Sequence, residues 1–287
     1  MKTGFIGLGA MGAPMAGHLH AKGLLAAVWN RSSETAERFA EAHPGVLVAS
    51  SAAQLAGAVD VLVICVSADE DLMMVIDRVV PALSPGKIVV DHSTVSPAAA
   101  REVSGRLAQQ AVAFVDAPVT GGVEGAKTGR LAIMAGGDAS AFARLDPVFS
   151  AYGKVWHHLG PAGAGQSAKA VNQLIVAGIA EAVCEALAVV EKLGLPQAEM
   201  LELLAAGAAG NWFLEKRAKT MLADSFDVGF EPKLLLKDLK ICDRLLTEVG
   251  LESSILGPAI ADYQRLVDAD EPGRDISALI RLKRGAQ

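Results

Sequence analysis

Cysteine is scarce in this sequence and occurs at three positions, Cys65, Cys184 and Cys242. An odd number of widely spaced cysteines gives neither a disulfide framework nor a zinc-binding pattern. Each cysteine lies among apolar residues and is expected to be a small buried side chain. We therefore predict no metal site and a reducing, cytoplasmic location.

Aromatic residues are also few, at 5%, and the net charge is −6, from 26 Lys and Arg against 32 Asp and Glu. Few stacking surfaces and the wrong sign of charge argue against nucleic acid as a partner. The basic residues Arg281, Lys283 and Arg284 are expected to form a solvated helix end.

Long hydrophobic runs are missing as well. No uninterrupted apolar stretch reaches the ~20 residues of a membrane-spanning helix. The first residues lead directly into a predicted strand, without the apolar segment of a signal peptide. We therefore predict no membrane partner.

Short apolar runs alternate with helical patterns through the first half of the 287 residues. The run Val61–Val66 is apolar throughout, which is typical of a strand buried on both faces. Such alternation predicts an α/β domain with a mostly parallel sheet. The other predicted strands are Thr3–Leu8, Ala26–Asn30, Ile88–Asp91, Ala113–Asp116, Leu131–Ala135 and Val155–His157.

The pattern changes at the glycine-rich segment Gly160–Gly165. The long helix predicted next, Ser167–Leu193, is apolar on most sides, so we expect it to be buried within a domain or between subunits. We place an α/β domain at residues 1–162 and an all-helical domain at residues 163–287. Further helices are predicted at Gln197–Ala206, Asn211–Met221, Lys233–Val249 and Gly257–Ala269.

A G-x-G-x-x-G motif follows the first predicted strand and precedes a helix, as in Rossmann-type dinucleotide-binding domains. The first glycine permits a tight turn, the second lets a pyrophosphate approach the backbone, and the third lets the helix pack on the strand. A glycine turn that only packs is the alternative. The predicted cofactor-binding residues are Gly7, Leu8, Gly9, Ala10, Met11 and Gly12.

The residues after the second strand bear on which dinucleotide binds. NAD sites carry an acidic residue there for the ribose 2′-hydroxyl, whereas this sequence has Asn30, Arg31 and Ser32. A guanidinium group suits a 2′-phosphate. We predict that these residues bind NADP in preference to NAD. If Arg31 only stacks on adenine or faces solvent, both cofactors would be used.

Ligands of open α/β sheets bind at the carboxyl ends of the strands. We therefore predict that Val66 and Thr94 contact the cofactor, with the Thr94 hydroxyl near the nicotinamide or its ribose. Helix capping is the alternative role for Thr94. It suits Ser96 better, because Pro97 follows at the first helical position.

Thr120, Gly121 and Gly122 follow a predicted strand that ends at Asp116. Glycine leaves backbone N–H groups open beside the threonine hydroxyl, which suits a carboxylate or another small anion. We predict a substrate-binding segment here, with an ordinary turn as the alternative.

Lys169 lies in the first turns of the long apolar helix, with Asn172 and Gln173 on the same face. Burial and the helix N-terminus both favour a neutral lysine. Such a lysine can exchange a proton with an alcohol or alkoxide, and Asn172 would orient it or bind the substrate. The alternative is a lysine whose ammonium group reaches water while its stem packs.

A third candidate is Lys237, which is followed by Asp238 in a predicted helix. Lys237 is expected to reach the cofactor or a substrate carboxylate, with Asp238 orienting it. The alternative is a solvated surface pair.

With these motifs in order, the sequence resembles the β-hydroxyacid dehydrogenase family over essentially its whole length. The family includes 3-hydroxyisobutyrate dehydrogenases and tartronate, glyoxylate and succinic semialdehyde reductases. Its cofactor motif matches Gly7–Ala16, its substrate motif Asp116–Gly122, its catalytic motif Gly160–Asn172 and its cofactor-contacting lysine Lys237. The resemblance implies a Rossmann-type domain followed by an all-α domain, Lys169 as the catalytic lysine, and a homodimer or homotetramer formed through the helical domain.

Two positions depart from the family pattern. Thr120 stands where serine is more usual, and the segment from Asn30 to Ser32 resembles the NADP-using reductases. Imine reductases share the architecture but usually replace the lysine, and 6-phosphogluconate dehydrogenases have a much longer helical domain.

The sequence thus predicts an oxidoreductase that transfers hydride between NADP(H) and a small β-hydroxy acid or its semialdehyde, with Lys169 as general acid or base. An NAD-dependent 3-hydroxyisobutyrate or L-serine dehydrogenase is the alternative within the family. A non-catalytic NADP-binding scaffold is a remote alternative.

Overall fold

The computed structural model describes residues 1–227, 229–269 and 275–285. The chain divides into two compact units, Met1–Lys169 and Ala170–Gln287. The division falls inside a long helix, whereas the sequence-based boundary at residue 162 lies just before that helix. The difference arises because the first turn of the helix is hydrogen-bonded to strands of the first unit, as described below.

The first unit alternates strands with helices. Its strands are β1 (Thr3–Ile6), β2 (Leu25–Trp29), β3 (Leu47–Val48), β4 (Val61–Ile64), β5 (Ile88–Asp91), β6 (Ala113–Asp116), β7 (Val119–Thr120), β8 (Leu131–Gly137) and β9 (Gly153–His158). Its helices are α1 (Gly12–Ala21), α2 (Ser33–Ala42), α3 (Ala52–Ala58), α4 (Asp69–Val79), α5 (Pro97–Ala108), α6 (Gly122–Lys127), α7 (Ala139–Arg144) and α8 (Asp146–Tyr152), with a 3₁₀ turn at Val80–Ala82.

These strands form a sheet of order β3-β2-β1-β4-β5-β6-β8-β7, and β9 pairs with β8. The six strands from β3 to β6 in this order are parallel, whereas β8 is antiparallel to both β6 and β7. The predicted Rossmann-type fold with a mostly parallel sheet is therefore confirmed.

Both faces of the sheet are covered, because successive side chains of a strand point to opposite faces. On β5, Val90 packs into a core with Met15 of α1 and Phe149 of α8. Its neighbour Val89 packs into a separate core with residues of α3, α4 and α5, such as Leu72. Burial on both faces explains why the central strands are apolar throughout.

The carboxyl ends of the central strands lie in one row. Ile6 at the end of β1 pairs with Trp29 of β2 on one side and Ile64 of β4 on the other. Asp91 at the end of β5 pairs with both Ile64 and Asp116. The segments that follow these strands therefore share one edge of the sheet.

The second unit is made of helices, as predicted. They are the remainder of α9 (Ala164–Lys192), then α10 (Gln197–Ala206), α11 (Trp212–Leu222), α12 (Pro232–Val249), α13 (Leu256–Asp268) and α14 (Leu279–Lys283), with a 3₁₀ turn at Ile276–Ala278. One core joins α9, α11, α12, α13 and α14.

The long helix α9 is buried on one face only. Ala177, Ala180 and Leu187 lie in the core, whereas Val171 and Ile175 are more than half exposed. By length and composition alone α9 could also cross a membrane. Polar residues such as Lys169 and Asn172 interrupt the helix, so it is not the uninterrupted apolar run that the sequence was found to lack, and a core helix of a globular protein has the same properties.

The basic residues near the end of the sequence are ion-paired, so the expectation of a solvated helix end was wrong. Lys283 contacts Glu181, Asp262 and Glu185, and its side chain is only 14% exposed. Burial favours the neutral amine, but the hydrogen bonds that Lys283 donates to these carboxylates raise its pKa above the ordinary value. Ion pairs therefore fasten α14 to α9 and α13.

Two of the cysteines are buried as predicted. Burial raises the pKa of the Cys242 thiol to about 11 and that of Cys184 well above its ordinary value. Cys65, which follows β4, is partly exposed, contrary to the prediction.

Candidate active site

The glycine turn after β1 is tightly packed at its first and third glycines. Gly7 has a φ of 95°, and a Cβ atom there would lie 2.0 Å from the carbonyl oxygen of Cys65. A Cβ atom at Gly12 would lie 1.8 Å from the carbonyl oxygen of Gly7. The fold itself therefore requires both residues to be glycine, which agrees with the roles that the motif assigns to them.

Gly9, the middle glycine, is different. A Cβ atom there would meet no atom of the described residues within 4 Å, and its φ lies outside the region that favours glycine. Among the described residues, no steric contact therefore requires glycine at this position. A pyrophosphate resting against the backbone would require it, so the turn fits a dinucleotide.

Asn30, at the end of β2, holds the glycine turn in place. Its Oδ1 accepts a hydrogen bond from the backbone N–H of Leu8 at 3.0 Å, and its Nδ2 donates to the carbonyl oxygen of Ser32 at 3.2 Å. The amide thus bonds to the protein on both sides. Sequence reasoning placed Asn30 at the cofactor and missed this supporting role.

Arg31 is exposed, and its guanidinium group is 3.2 Å from Oδ1 of Asp71 in the first turn of α4. Forty residues separate the two side chains in sequence, so no local pattern indicated the pair. The guanidinium remains accessible to a ligand because most of its surface faces solvent.

Two segments after β4 and β5 are bonded to one another. The N–H of Val66 donates to Oγ of Ser93 at 2.8 Å. Ser96 accepts from the N–H of Ala99 and caps α5, with Pro97 at the start of the helix, which confirms that prediction. Thr94, the predicted cofactor contact, lies between Ser93 and Val95, whose backbone groups are both hydrogen-bonded to Gln166.

Gln166, in the first turn of α9, holds the backbone on both sides of Thr94. Its Nε2 donates to the carbonyl oxygen of Ser93 at 2.8 Å, and its Oε1 accepts from the N–H of Val95 at 3.1 Å. This buried glutamine was not singled out in the sequence, because its partners lie more than 70 residues away.

Asp116, at the end of β6, binds the backbone at the start of α9. Its carboxylate accepts from the N–H groups of Gly163 at 2.9 Å and Gln166 at 3.0 Å. Burial raises the pKa of Asp116, and these hydrogen bonds oppose that shift. The start of α9 is therefore joined to β6 and to the segment that follows β5, which explains its place in the first unit.

Lys169 lies one turn after Gln166, on the same side of α9. The whole residue is only 7% exposed. The hydrogen bonds of Gln166 and Asp116 thus bring the helical turn that carries Lys169 to the carboxyl ends of β5 and β6.

The segment after β6 has open space at the second of its two glycines, whereas a Cβ atom at Gly121 would lie 3.3 Å from the Leu131 side chain. Gly121 and Gly122 have φ values of 127° and 63°, and a Cβ atom at Gly122 would meet no protein atom within 4 Å. Thr120 ends β7 directly before them.

His92, after β5, supports the start of this segment. Its Nδ1 donates to the carbonyl oxygen of Ala117 at 2.5 Å, and its Nε2 is 2.6 Å from the hydroxyl of Tyr152. Burial lowers the pKa of His92 to about 4, so the ring is neutral. A carbonyl oxygen only accepts, so the proton is on Nδ1 and the tyrosine hydroxyl donates to Nε2.

In the second unit, Asn172 and Lys237 belong to one polar network. Lys237 is 3.2 Å from Oδ1 of Asp238, as expected of an orienting pair. Oδ2 of Asp238 accepts from Gln173 at 2.6 Å, and Gln173 in turn accepts from Nδ2 of Asn172 at 2.8 Å. The functions of Asn172 and Lys237 stay predictions that rest on the resemblance.

Comparison with known proteins agrees with both units. Residues 2–160 match the model of the NAD binding domain of 6-phosphogluconate dehydrogenase. Residues 163–283 match the model described as NAD-binding of NADP-dependent 3-hydroxyisobutyrate dehydrogenase. The chain belongs to the 3-hydroxyisobutyrate dehydrogenase family of β-hydroxyacid dehydrogenases.

Relatives of this family are similar over nearly the full length. An oxidoreductase of Synechocystis sp. is 34% identical over 99% of both chains. The NAD-dependent L-serine dehydrogenase of Pseudomonas aeruginosa is 31% identical over 97% of this chain and 96% of its own. The structure of Mycobacterium tuberculosis 3-hydroxyisobutyrate dehydrogenase with L-serine is 31% identical, with a TM-score of 0.88 over 99% of both chains.

As a member of the 3-hydroxyisobutyrate dehydrogenase family, the protein is an NAD(P)-dependent oxidoreductase that acts on hydroxyl groups. Its cofactor is a nicotinamide dinucleotide, which agrees with the open backbone at Gly9.

Proposed function

We propose that this enzyme transfers hydride between NADP(H) and a small β-hydroxy acid or its semialdehyde, with Lys169 as general acid and base. The observation that carries the proposal is the attachment of the first turn of α9 to β5 and β6 through Gln166 and Asp116. This attachment supports a catalytic lysine beside Thr94 and the segment after β6.

When bound, the nicotinamide would supply or accept the hydride. The residues of the chain bind and orient the cofactor and the substrate, and they transfer the proton. The backbone N–H groups after Gly9 bind the pyrophosphate, and Arg31 binds the 2′-phosphate. Backbone N–H groups of Gly121 and Gly122, with the Thr120 hydroxyl, hold the substrate carboxylate.

Lys169 carries the proton chemistry in this proposal. During reduction its ammonium group donates a proton to the carbonyl oxygen of the substrate. During oxidation the neutral amine takes the proton of the alcohol. The low exposure of Lys169 supports this role, because exclusion of water strengthens the interaction with the developing charge.

The main alternative is an NAD-dependent enzyme that oxidises L-serine or 3-hydroxyisobutyrate. The relative from Pseudomonas aeruginosa bears that cofactor and that activity in its name, and the Mycobacterium tuberculosis structure contains L-serine. A non-catalytic scaffold remains the third possibility, for which the chain would bind the cofactor without turnover.

Steady-state kcat/KM with NADPH and NADH separates these proposals. The panel would contain tartronate, succinic and methylmalonate semialdehydes, glyoxylate, 3-hydroxyisobutyrate, L-serine and one cyclic imine. We expect the highest kcat/KM for a semialdehyde with NADPH. A clear preference for NADH would contradict the role of Arg31, and activity on the imine alone would contradict the substrate class.

We also propose that a second copy of the chain covers α9. The exposed face of α9 includes Val171, Ile175 and Val189, and no residue of the apolar helix α10 is buried. A groove of about 600 Å³ runs along α9 between these surfaces. An exposed apolar area of this kind is typical of an interface between subunits.

Replacing Ile175 with glutamate is expected to reduce the oligomer to the 29.6 kDa chain, because it places a charge in that interface. Light scattering after size-exclusion chromatography measures the mass. Leu47→Glu, at an exposed leucine of β3, is the control and should leave the mass unchanged. A wild-type mass of one chain would contradict the proposal.

A further inference from the structure

The ion pair between Arg31 and Asp71 extends across the glycine turn. Arg31 follows β2, and Asp71 lies in the helix that follows β4. These two strands flank β1 on opposite sides. A contact of 3.2 Å between the two side chains must therefore bridge the carboxyl end of β1, where the turn begins.

Two aspartates in the first turn of α4 have different partners, and Asp71 is the one that contacts Arg31. Asp69, in the same turn, is bonded to the backbone N–H of Ser96 at 2.8 Å and to its hydroxyl at 2.6 Å. The Asp71 side chain is 28% exposed, whereas that of Arg31 is 77% exposed. Asp71 is thus the more firmly placed partner, and Arg31 the one with free surface.

The pair places a negative charge beside the group that would bind the cofactor 2′-phosphate. A phosphate monoester carries a charge of about −1.5 to −2 at neutral pH. To bind it, Arg31 must leave Asp71 or share its charge with Asp71. The 2′-hydroxyl of NAD is uncharged, so NAD leaves the ion pair intact.

We propose that Asp71 is a cofactor-specificity residue that weakens binding of the 2′-phosphate by holding Arg31. The proposal rests on the proposed function, in which Arg31 binds the 2′-phosphate of NADP. NAD-binding sites usually carry a carboxylate at the end of the second strand, and here Asp71 places one nearby from α4 instead. Asp71 therefore reduces the preference for NADP over NAD that Arg31 creates.

Asp71→Asn removes the charge and keeps the shape of the side chain. We expect the Kd for NADP⁺ to fall about tenfold, since Arg31 no longer has to give up a carboxylate partner before it binds the 2′-phosphate. The Kd for NAD⁺ is expected to change less than about twofold, because NAD leaves the pair intact. Isothermal titration calorimetry measures both constants, and the tenfold gain should shrink at high ionic strength.

Asp77→Asn is the matched control. Asp77 lies two turns further along α4, is exposed, and is also paired with an arginine, Arg106. Its substitution should change neither Kd. A change of the same size as that of Asp71→Asn would mean that net charge alone is responsible and would overturn the proposal.

The double variant tests whether Asp71 acts through Arg31. In an Arg31→Ala background, Asp71→Asn is expected to improve NADP⁺ binding less than about threefold. A full gain in that background, or equal gains for both cofactors, would overturn the proposal. A wild-type chain that binds neither dinucleotide would instead refute the proposed function, whereas a wild-type preference for NAD⁺ would refute only the preference assigned to Arg31.

Discussion

Replacing Lys169 with alanine is expected to lower kcat by about 10²–10⁴-fold, the usual contribution of a positioned acid or base. Binding of the cofactor should change little, because the proposed role of the lysine is to transfer a proton to or from substrate oxygen. Stopped-flow and steady-state absorbance at the nicotinamide band measure turnover, and calorimetry measures cofactor binding.

Two further variants separate proton transfer from loss of packing. Lys192→Ala removes an exposed lysine from the last turn of the same helix and should leave kcat unchanged. Added methylamine should partly restore the turnover of Lys169→Ala, because it can enter the space left by the lysine side chain and transfer the proton. Turnover of Lys169→Ala within threefold of wild type, about 0.7 kcal/mol in the barrier, would show that another group supplies the proton.

Replacing Gly9 with valine is expected to raise the Kd for either dinucleotide at least about 100-fold, or ~2.7 kcal/mol. The added side chain would occupy the space that the pyrophosphate needs, yet its Cβ would have no atom of the structurally described part of the chain within 4 Å. The midpoint of thermal unfolding without cofactor should therefore stay within a few degrees of wild type. Calorimetric titration and thermal unfolding measure the two effects separately.

Substitution of the third glycine of the turn should instead affect stability. Gly12→Ala should lower the unfolding temperature, because its Cβ would overlap the carbonyl oxygen of Gly7. Gly105→Val, at an exposed glycine of α5 with open space around it, should alter neither stability nor binding. Normal cofactor affinity in Gly9→Val would refute the assignment of the glycine turn.

Much of the fold follows from sequence because the central strands are buried on both faces. The predicted bounds of β5 and β6, Ile88–Asp91 and Ala113–Asp116, agree with the structure, since each apolar run coincides with a strand. The strands β3 and β7 were not predicted, because two residues are too few to form a pattern. Predicted strand Val61–Val66 was too long, since apolar residues continue past the end of β4.

The site was less accessible to sequence reasoning. Local motifs indicated the glycine turn, the segment at Thr120 and the buried lysine. The side chains that support the lysine and the segment at Thr120, Gln166 and His92, act through partners that are 25 to 73 residues distant. Such partners depend on which strand ends meet at the sheet edge, and that arrangement becomes visible only in the fold.

The two hydrogen bonds of Asn30 restrict how coenzyme use can change in evolution or by design. The aspartate that NAD enzymes carry near this point would still accept from Leu8, but it would lose the donor to Ser32 and repel that carbonyl. Replacing Asn30 with aspartate to favour NAD would therefore destabilise the end of β2. A lineage that exchanges one coenzyme for the other should keep Asn30 and vary Arg31, Ser32 and Asp71.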